Sequence, residues 1–202
     1  MQLQGEFYRA LNLDELFFAP APIEEADGVR WMTSPVVTNI HATLGFIFIR
    51  LHSLLDYITK LSIEVEKLKN EFSSYPRLGS RNVQYSDRKR ISFNGTPNTL
   101  FEKCSLLTEI ETVRNHVIHD GLIDEMPKVY KVISGGKTIE KFVLFPDRCS
   151  EGRFETFCNR NLFYSGEDKI NLRLPHVINE FQRRQVITLN KVLTTLQEKR
   201  LA

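Results

Sequence analysis

The sequence is poor in cysteine and has no long apolar run. Its 202 residues include 3 cysteines, none of them in a Cys-x-x-Cys pair. An odd number of scattered cysteines argues against a disulfide framework and indicates a reducing compartment. No stretch of about 18 uncharged apolar residues occurs, so we expect no transmembrane helix. The N-terminus also lacks the basic and apolar regions of a signal peptide. These absences predict a cytoplasmic protein.

Several motifs of enzymes and metal sites are also missing. The chain contains no Gly-x(4)-Gly-Lys-Ser/Thr phosphate-binding loop and no Gly-x-Ser-x-Gly nucleophile elbow. The spacing of Cys149, Cys158 and His176 resembles no zinc site. We therefore expect neither a bound metal nor another cofactor.

The overall composition is that of an ordinary globular protein. Hydrophobic residues make up 42% and charged residues 26%, which excludes a wholly disordered chain. The length predicts a single domain over residues 1–202. The net charge is only +2, so a nucleic-acid site would require local clustering of the positive charges.

Apolar periodicity predicts two long helices. Ser34-Pro35 is typical of an N-cap followed by a first helical turn, and apolar residues then recur at spacings of three and four. This pattern predicts a helix over about 36–72. It is interpreted as a member of a helical bundle, and a dimer seam is a second interpretation compatible with the first. A second helix is expected to start near 96–98 and to end at Gly121, since glycine is typical of a helix C-cap.

The remaining segments predict a small amount of β structure. Gly135-Gly136 between two alternating segments predicts a β-hairpin. The alternating apolar residues of 170–174 predict a further strand, and a last helix is expected over about 176–199. In the N-terminal 32 residues only Leu13–Phe18 is expected to be helical. The fold class is therefore mainly α, a helical bundle with a β-hairpin insertion at about 127–174 before the last helix.

A basic segment lies between the two long helices, at residues 73–97. It contains five cations: Arg77, Arg81, Arg88, Lys89 and Arg90. Only Asp87 opposes them, which leaves a local charge of +4 (five positive charges less one). Tyr85 is one of three aromatic residues interleaved with the cations. The segment predicts either an RNA-binding loop, in which the aromatic residues stack on bases, or a solvated loop without a ligand.

A set of polar residues occupies the last turns of the second helix. At 100° per residue, Arg114 projects into the apolar arc of this helix, whereas Asn115 and His119 lie together on the edge of the arc. An arginine in an apolar arc requires a carboxylate partner, a phosphate ligand or a wet cleft. His116 projects away from the core, so we expect it to be a bystander.

These residue types suit phosphodiester chemistry. A histidine transfers protons near neutral pH, and the arginine fork binds two phosphate oxygens. Asn115 can orient His119 or hold a phosphate oxygen, and none of these roles requires a metal. A surface histidine beside a salt-bridged Arg114 is the alternative. On the first long helix, His52 and Asp56 are spaced for either a proton relay or a plain intrahelical hydrogen bond.

The run Arg114-Asn115-His-Val-Ile-His119-Asp-Gly121 resembles the R-x(4–6)-H motif of the HEPN superfamily (higher eukaryotes and prokaryotes nucleotide-binding). The polar residue directly after the arginine, the two apolar residues and the glycine shortly after the histidine are typical of that family. The resemblance implies a bundle of long antiparallel helices. The minimal family domain does not need the insertion at 127–174.

HEPN ribonucleases are metal-independent enzymes that use the RNA 2′-hydroxyl as nucleophile and leave a 2′,3′-cyclic phosphate and a 5′-hydroxyl. The resemblance implies a homodimer whose two motifs build one composite active site. In it, Arg114 would stabilise the scissile phosphate, His119 would act as general acid or base, and Asn115 would hold the histidine or the phosphate.

The resemblance also implies a role in a toxin–antitoxin or antiviral defence system, with an antitoxin or another defence protein as partner. Two alternatives remain open. One is a non-catalytic HEPN module that binds RNA or a nucleotide. The other is a helical protein-interaction domain in which Arg114 is only salt-bridged.

Overall fold

The computed structural model describes residues 2–13, 26–66, 90–124, 126–146 and 168–201. In chain order these form α1 (Gln2–Leu11), β1 (Gly28–Met32), α2 (Pro35–Val65), α3 (Ser105–Asp120), β2 (Val129–Ser134), β3 (Lys137–Phe142) and α4 (Ile170–Leu201). The predicted class, mainly α with a small β-hairpin, is confirmed. Within these ranges, no helix has the length and apolar character needed to cross a membrane.

The chain divides into two compact units, each made of two segments. The first unit comprises Met1–Ile49 and Glu109–Pro175, and the second comprises Arg50–Thr108 and His176–Ala202. The boundaries fall inside α2, α3 and α4, so each of these helices contributes residues to both units.

Helix α2 begins where its sequence predicts. The hydroxyl of Ser34 accepts a hydrogen bond from the backbone N–H of Val37 at 3.3 Å, and the Ser34 carbonyl accepts one from Thr38 at 3.0 Å. Ser34 is therefore the N-cap, and Pro35 takes the first position, where its missing N–H costs nothing. The end of the predicted helix, 67–72, lies outside the described residues.

Helix α3 begins at Ser105 rather than near 96–98, so its predicted start is wrong. Residues 90–104 form turns instead, because Asn98 has a left-handed backbone (φ 64°) that a helix does not accommodate. Leu100 and Phe101 are buried in these turns, and the Leu100 N–H donates to the Thr188 hydroxyl at 2.8 Å. Leu100 and Phe101 are apolar because they are buried within the second unit. They do not form the apolar face of a helix.

The three strands form one antiparallel sheet in the order β1-β2-β3. The predicted β2–β3 hairpin is confirmed, and Gly135 and Gly136 at its turn have φ values of 59° and 70°. Backbone N–H groups of these two glycines bind the Asp27 carboxylate and lower its pKa below the usual range. The sequence does not predict β1, because Gly28 at its start is typical of a break.

The predicted strand at 170–174 is wrong, because α4 already begins at Ile170. Ile170 and Leu174 are fully buried whereas Leu172 is 65% exposed, which is helical spacing rather than alternation. Pro175 lies inside the helix and has no N–H to donate to the carbonyl four residues back, that of Asn171. The hydroxyl of Tyr8 donates to this carbonyl instead.

Tyr8 belongs to α1, a helix that the sequence does not predict. The helix buries Phe7 and Leu11, which lie four residues apart on one face. The short helix expected at Leu13–Phe18 falls mostly on 14–18, outside the described residues, and Leu13 itself is not helical. Only two buried residues mark α1, so its periodic signal is weak.

Candidate functional site

The candidate site is built on the last two turns of α3. The helix ends as predicted at Gly121, which has φ 93° and whose N–H donates to the Val117 carbonyl at 3.1 Å. A left-handed residue is most easily supplied by glycine. The end of the helix therefore lies two residues beyond His119, which places the whole Arg114–His119 run in helical geometry.

Helix α3 packs very closely against α2 at this level. A Cβ atom placed on Gly45 would lie 3.1 Å from Cγ1 of Val117, closer than ordinary van der Waals contact. Ile110 and Val113 on the same side of α3 are fully buried. This contact determines which face of α3 is covered. Gly45 is the signal in the sequence that could have indicated this contact, because a glycine inside an apolar helix often marks a close approach of this kind.

Arg114 and Asn115 are both half-buried, and they contact each other. The guanidinium Nη1 of Arg114 donates to Oδ1 of Asn115 at 2.9 Å. Within the described ranges no carboxylate pairs with Arg114. Arginine carries five N–H donors, so the Arg114–Asn115 bond orients the guanidinium while using a small part of its capacity to bind an anion.

His119 is exposed to solvent. It follows Asn115 by four residues, so the two side chains leave the same side of α3 one turn apart. The structure therefore brings Arg114 and Asn115 into direct contact and places an accessible imidazole beside them on the next turn. A phosphate group bound by Arg114 at this edge would lie near a group that can transfer a proton.

The interpretation of His116 as a residue pointing away from the core is wrong. Its side chain is only 11% exposed, and Nδ1 lies 3.0 Å from Oδ2 of Asp120. Ile118, which projects into the predicted apolar arc, is instead 50% exposed. The covered face of α3 is therefore rotated towards His116. The carboxylate of Asp120 joins the last turn of the helix to the turn before it, directly next to His119.

A buried histidine anchors the segment that follows the motif. Nε2 of His41 lies 3.1 Å from the carbonyl oxygen of Lys128, and the residue is 2% exposed. Burial lowers the pKa of His41 below its usual 6.5, although the hydrogen bond to Lys128 and the nearby Asp124 carboxylate oppose this effect. His41 is therefore a neutral structural residue of the first unit near pH 7.

Most of the predicted RNA-binding residues cannot be placed, since Arg77, Arg81, Arg88, Lys89 and Tyr85 lie outside the described residues. Arg90 is described and is exposed at the start of the turns that precede α3. In the second unit, His52 and Asp56 are paired, with Nδ1 and Oδ2 3.3 Å apart. Among the residues that the structure describes, no group of three or more His, Cys, Asp or Glu side chains is placed to hold a metal ion.

Comparison with known proteins does not extend the resemblance of the motif. No family model, curated protein or solved structure matches the chain.

Proposed function

We propose that this protein is a metal-independent endoribonuclease whose active site contains Arg114, Asn115 and His119. One observation carries the proposal. Arg114 is half-buried without a carboxylate partner among the described residues, is hydrogen-bonded to Asn115 at 2.9 Å, and has the exposed His119 one turn away. A salt-bridged structural arginine, as the interaction-domain alternative requires, would have a carboxylate in this place.

The chemistry divides among these groups without a cofactor. The RNA 2′-oxygen attacks the adjacent phosphorus while a base removes the proton of the 2′-hydroxyl. The bond from phosphorus to the 5′-oxygen then breaks, and an acid delivers a proton to the leaving oxygen. The guanidinium of Arg114 stabilises the negative charge that develops on the phosphorane oxygens. Asn115 orients that guanidinium.

One exposed histidine per motif supplies only one of the two proton transfers. A second chain supplies the other, so the proposed site is a composite of two copies of the α3 terminus. Uncontrolled cleavage of cellular RNA would arrest growth. The proposal therefore includes an inhibitory partner protein, as in toxin–antitoxin or antiviral defence systems.

The first test is cleavage of mixed RNA in EDTA by the purified protein and its variants. We expect His119→Ala and Arg114→Ala each to lower the cleavage rate by at least about 10²-fold, because each removes a group that acts in the transition state. His176→Ala is the matched control, since this histidine of α4 is also exposed and lies outside the motif.

Mixing the two inactive variants tests the composite site. An Arg114→Ala chain paired with a His119→Ala chain keeps one Arg114 and one His119, on different chains. If the two residues act across the dimer, we expect the mixture to cleave RNA faster than either variant alone, but more slowly than the wild type, whose site holds two histidines. Wild-type protein that cuts RNA no faster than both single variants would refute the nuclease proposal. RNA binding without any cleavage would favour the non-catalytic alternative.

A further inference from the structure

Two large apolar side chains are exposed where α2 and α3 meet in the first unit. Phe46 follows Gly45 on α2 and Ile118 follows Val117 on α3, so each lies one residue beyond the close contact between the helices. Phe46 is 57% exposed and Ile118 is 50% exposed. Isolated apolar residues on a surface require no explanation, but these two accompany the polar residues of the candidate site.

The two helices run in opposite directions at this contact. The chain that follows α3 reaches Lys128, whose carbonyl oxygen lies 3.1 Å from Nε2 of His41, and His41 precedes Gly45 by one turn of α2. The beginning of α3, at residues 105–108, groups instead with the part of α2 that follows Ile49. Helix α3 therefore runs towards the N-terminal end of α2.

This orientation determines which exposed residues share a side of the contact. Counted from Gly45, Phe46 is rotated by about 100° around α2. Counted from Val117, Ile118 is rotated by about 100° around α3, and Arg114 by about 60° in the same sense. Rotations of the same sense lead to the same side of an antiparallel pair. An exposed ring and an exposed aliphatic chain therefore accompany the guanidinium that has no carboxylate partner among the described residues.

We propose that Phe46 and Ile118 bind a nucleobase of an RNA strand whose phosphate is held by Arg114. A nucleobase stacks its flat faces on aromatic and apolar side chains and leaves its polar edges in water at an exposed site. Each base of a strand is joined to a phosphate, so a cation beside an apolar patch fits both parts of a nucleotide. An apolar peptide on the same patch would leave the guanidinium without an anion.

The base site deepens the proposed function and rests on it in one respect, because phosphate binding by Arg114 places the strand. It also names the substrate class. The faces of a base are free to stack on Phe46 only where the strand is unpaired, so the site selects single-stranded RNA over a duplex. Stacking uses a face that every base has, so the preference among the four bases is weak.

The test is binding of a short single-stranded 2′-O-methyl RNA of mixed sequence, which lacks the internal nucleophile, measured by fluorescence anisotropy. Phe46→Leu keeps an apolar side chain and removes the ring, so we expect it to weaken binding about tenfold. Phe46→Tyr keeps a ring and should bind like the wild type. Tyr57→Leu is the matched control, since Tyr57 is an exposed aromatic residue of α2 in the second unit.

A second probe separates the base from the phosphate. An abasic deoxyribose oligonucleotide of the same length carries the same phosphate charges and no bases. We expect Phe46→Leu to bind this probe like the wild type. Arg114→Ala should weaken the binding of both probes and make it less dependent on salt, because it removes a phosphate contact.

Circular dichroism establishes that each variant is folded. The base site is overturned if the wild type does not bind the 2′-O-methyl RNA, if Phe46→Leu binds it like the wild type, or if Phe46→Leu weakens the abasic probe equally. The second of these results would assign the patch to an apolar protein contact. Neither probe can react through a 2′-hydroxyl, so binding that depends on Phe46 without any cleavage of RNA in EDTA would refute the nuclease proposal and support the base site.

Discussion

At the scale of single residues, helical spacing predicted Asn115 and His119 on one edge of α3 and Arg114 inside its apolar arc, and it misjudged which side of the helix is covered. Arg114 and Asn115 are half-buried and in contact, and His119 is exposed. The error concerns His116 and Ile118, because the projection placed the centre of the apolar arc too far from His116. The covered face is determined by the packing of α2 against α3. The sequence of α3 alone does not indicate where α2 packs.

The two histidines of the motif should consequently respond differently to replacement by alanine. His116→Ala removes the contact between Nδ1 and Asp120 and leaves space at a nearly buried position. We expect it to lower the free energy of unfolding by about 1–2 kcal/mol. His119→Ala alters an exposed side chain and should change that free energy by less than about 0.5 kcal/mol while removing cleavage.

Urea unfolding and the RNA cleavage rate, measured on both variants, check this distinction. If His116→Ala leaves the stability unchanged, the Asp120 contact does not stabilise the end of α3. If His119→Ala unfolds at much lower urea than the wild type, the residue has a structural role that its exposure does not explain.

At the scale of elements, glycine and proline at the ends of helices and in turns were the most informative signal. Ser34-Pro35, Gly121 and Gly135-Gly136 correctly marked a helix start, a helix end and a hairpin turn. The last helix was predicted to start at about 176, whereas it starts six residues earlier, at Ile170, and contains Pro175. Proline inside a helix is tolerated here because the Tyr8 hydroxyl satisfies the Asn171 carbonyl, and Tyr8 lies far away in sequence.

Replacing Tyr8 by phenylalanine should therefore expose, as a loss of stability, the effect of the backbone N–H that Pro175 lacks. Tyr8→Phe leaves the Asn171 carbonyl without this hydrogen bond, and we expect a loss of about 1–3 kcal/mol in the free energy of unfolding. Pro175→Ala supplies an N–H that can bond the same carbonyl. In the Pro175→Ala background the effect of Tyr8→Phe should consequently be smaller.

The measurement is a double-mutant cycle by chemical unfolding. Equal losses from Tyr8→Phe in both backgrounds would contradict this account of how α4 accommodates its proline. Phe7, the neighbouring buried aromatic residue of α1, has no hydroxyl and therefore cannot donate a hydrogen bond to the Asn171 carbonyl.

At the scale of the whole molecule, composition and periodicity predicted the class and three of the four described helices, with wrong limits for some of them. They predicted neither α1 nor β1. The pairing of β1 with β2 joins residues about a hundred positions apart, so no local pattern indicates it. The division of the chain into two units by boundaries inside helices is likewise a property of long-range contacts.

A buried histidine makes stability of the first unit depend on pH. Because burial lowers the pKa of His41 in the folded chain, the unfolded chain binds a proton at a higher pH than the folded chain does. Stability should therefore fall as the pH is lowered through the usual value of 6.5, at up to about 1.4 kcal/mol per pH unit, until the folded form is also protonated.

His41→Gln removes this titration and keeps an amide N–H for the Lys128 carbonyl. We expect the free energy of unfolding of this variant to change less between pH 7 and 5 than that of the wild type. The exposed His176→Gln is the control. An unchanged pH dependence in His41→Gln would show that other groups cause it.

We propose that the end of α3 cleaves RNA through the 2′-hydroxyl. The most direct measurement uses a short RNA cut by the wild type in EDTA and the same oligonucleotide with one 2′-deoxy nucleotide at the cleaved position. The proposed site, with Arg114 on the phosphate and His119 as proton-transfer group, predicts a 2′,3′-cyclic phosphate end on the first substrate and no cleavage at the modified position of the second. Cleavage at the deoxy position would contradict the claim, because the bond would then have been broken without the internal nucleophile.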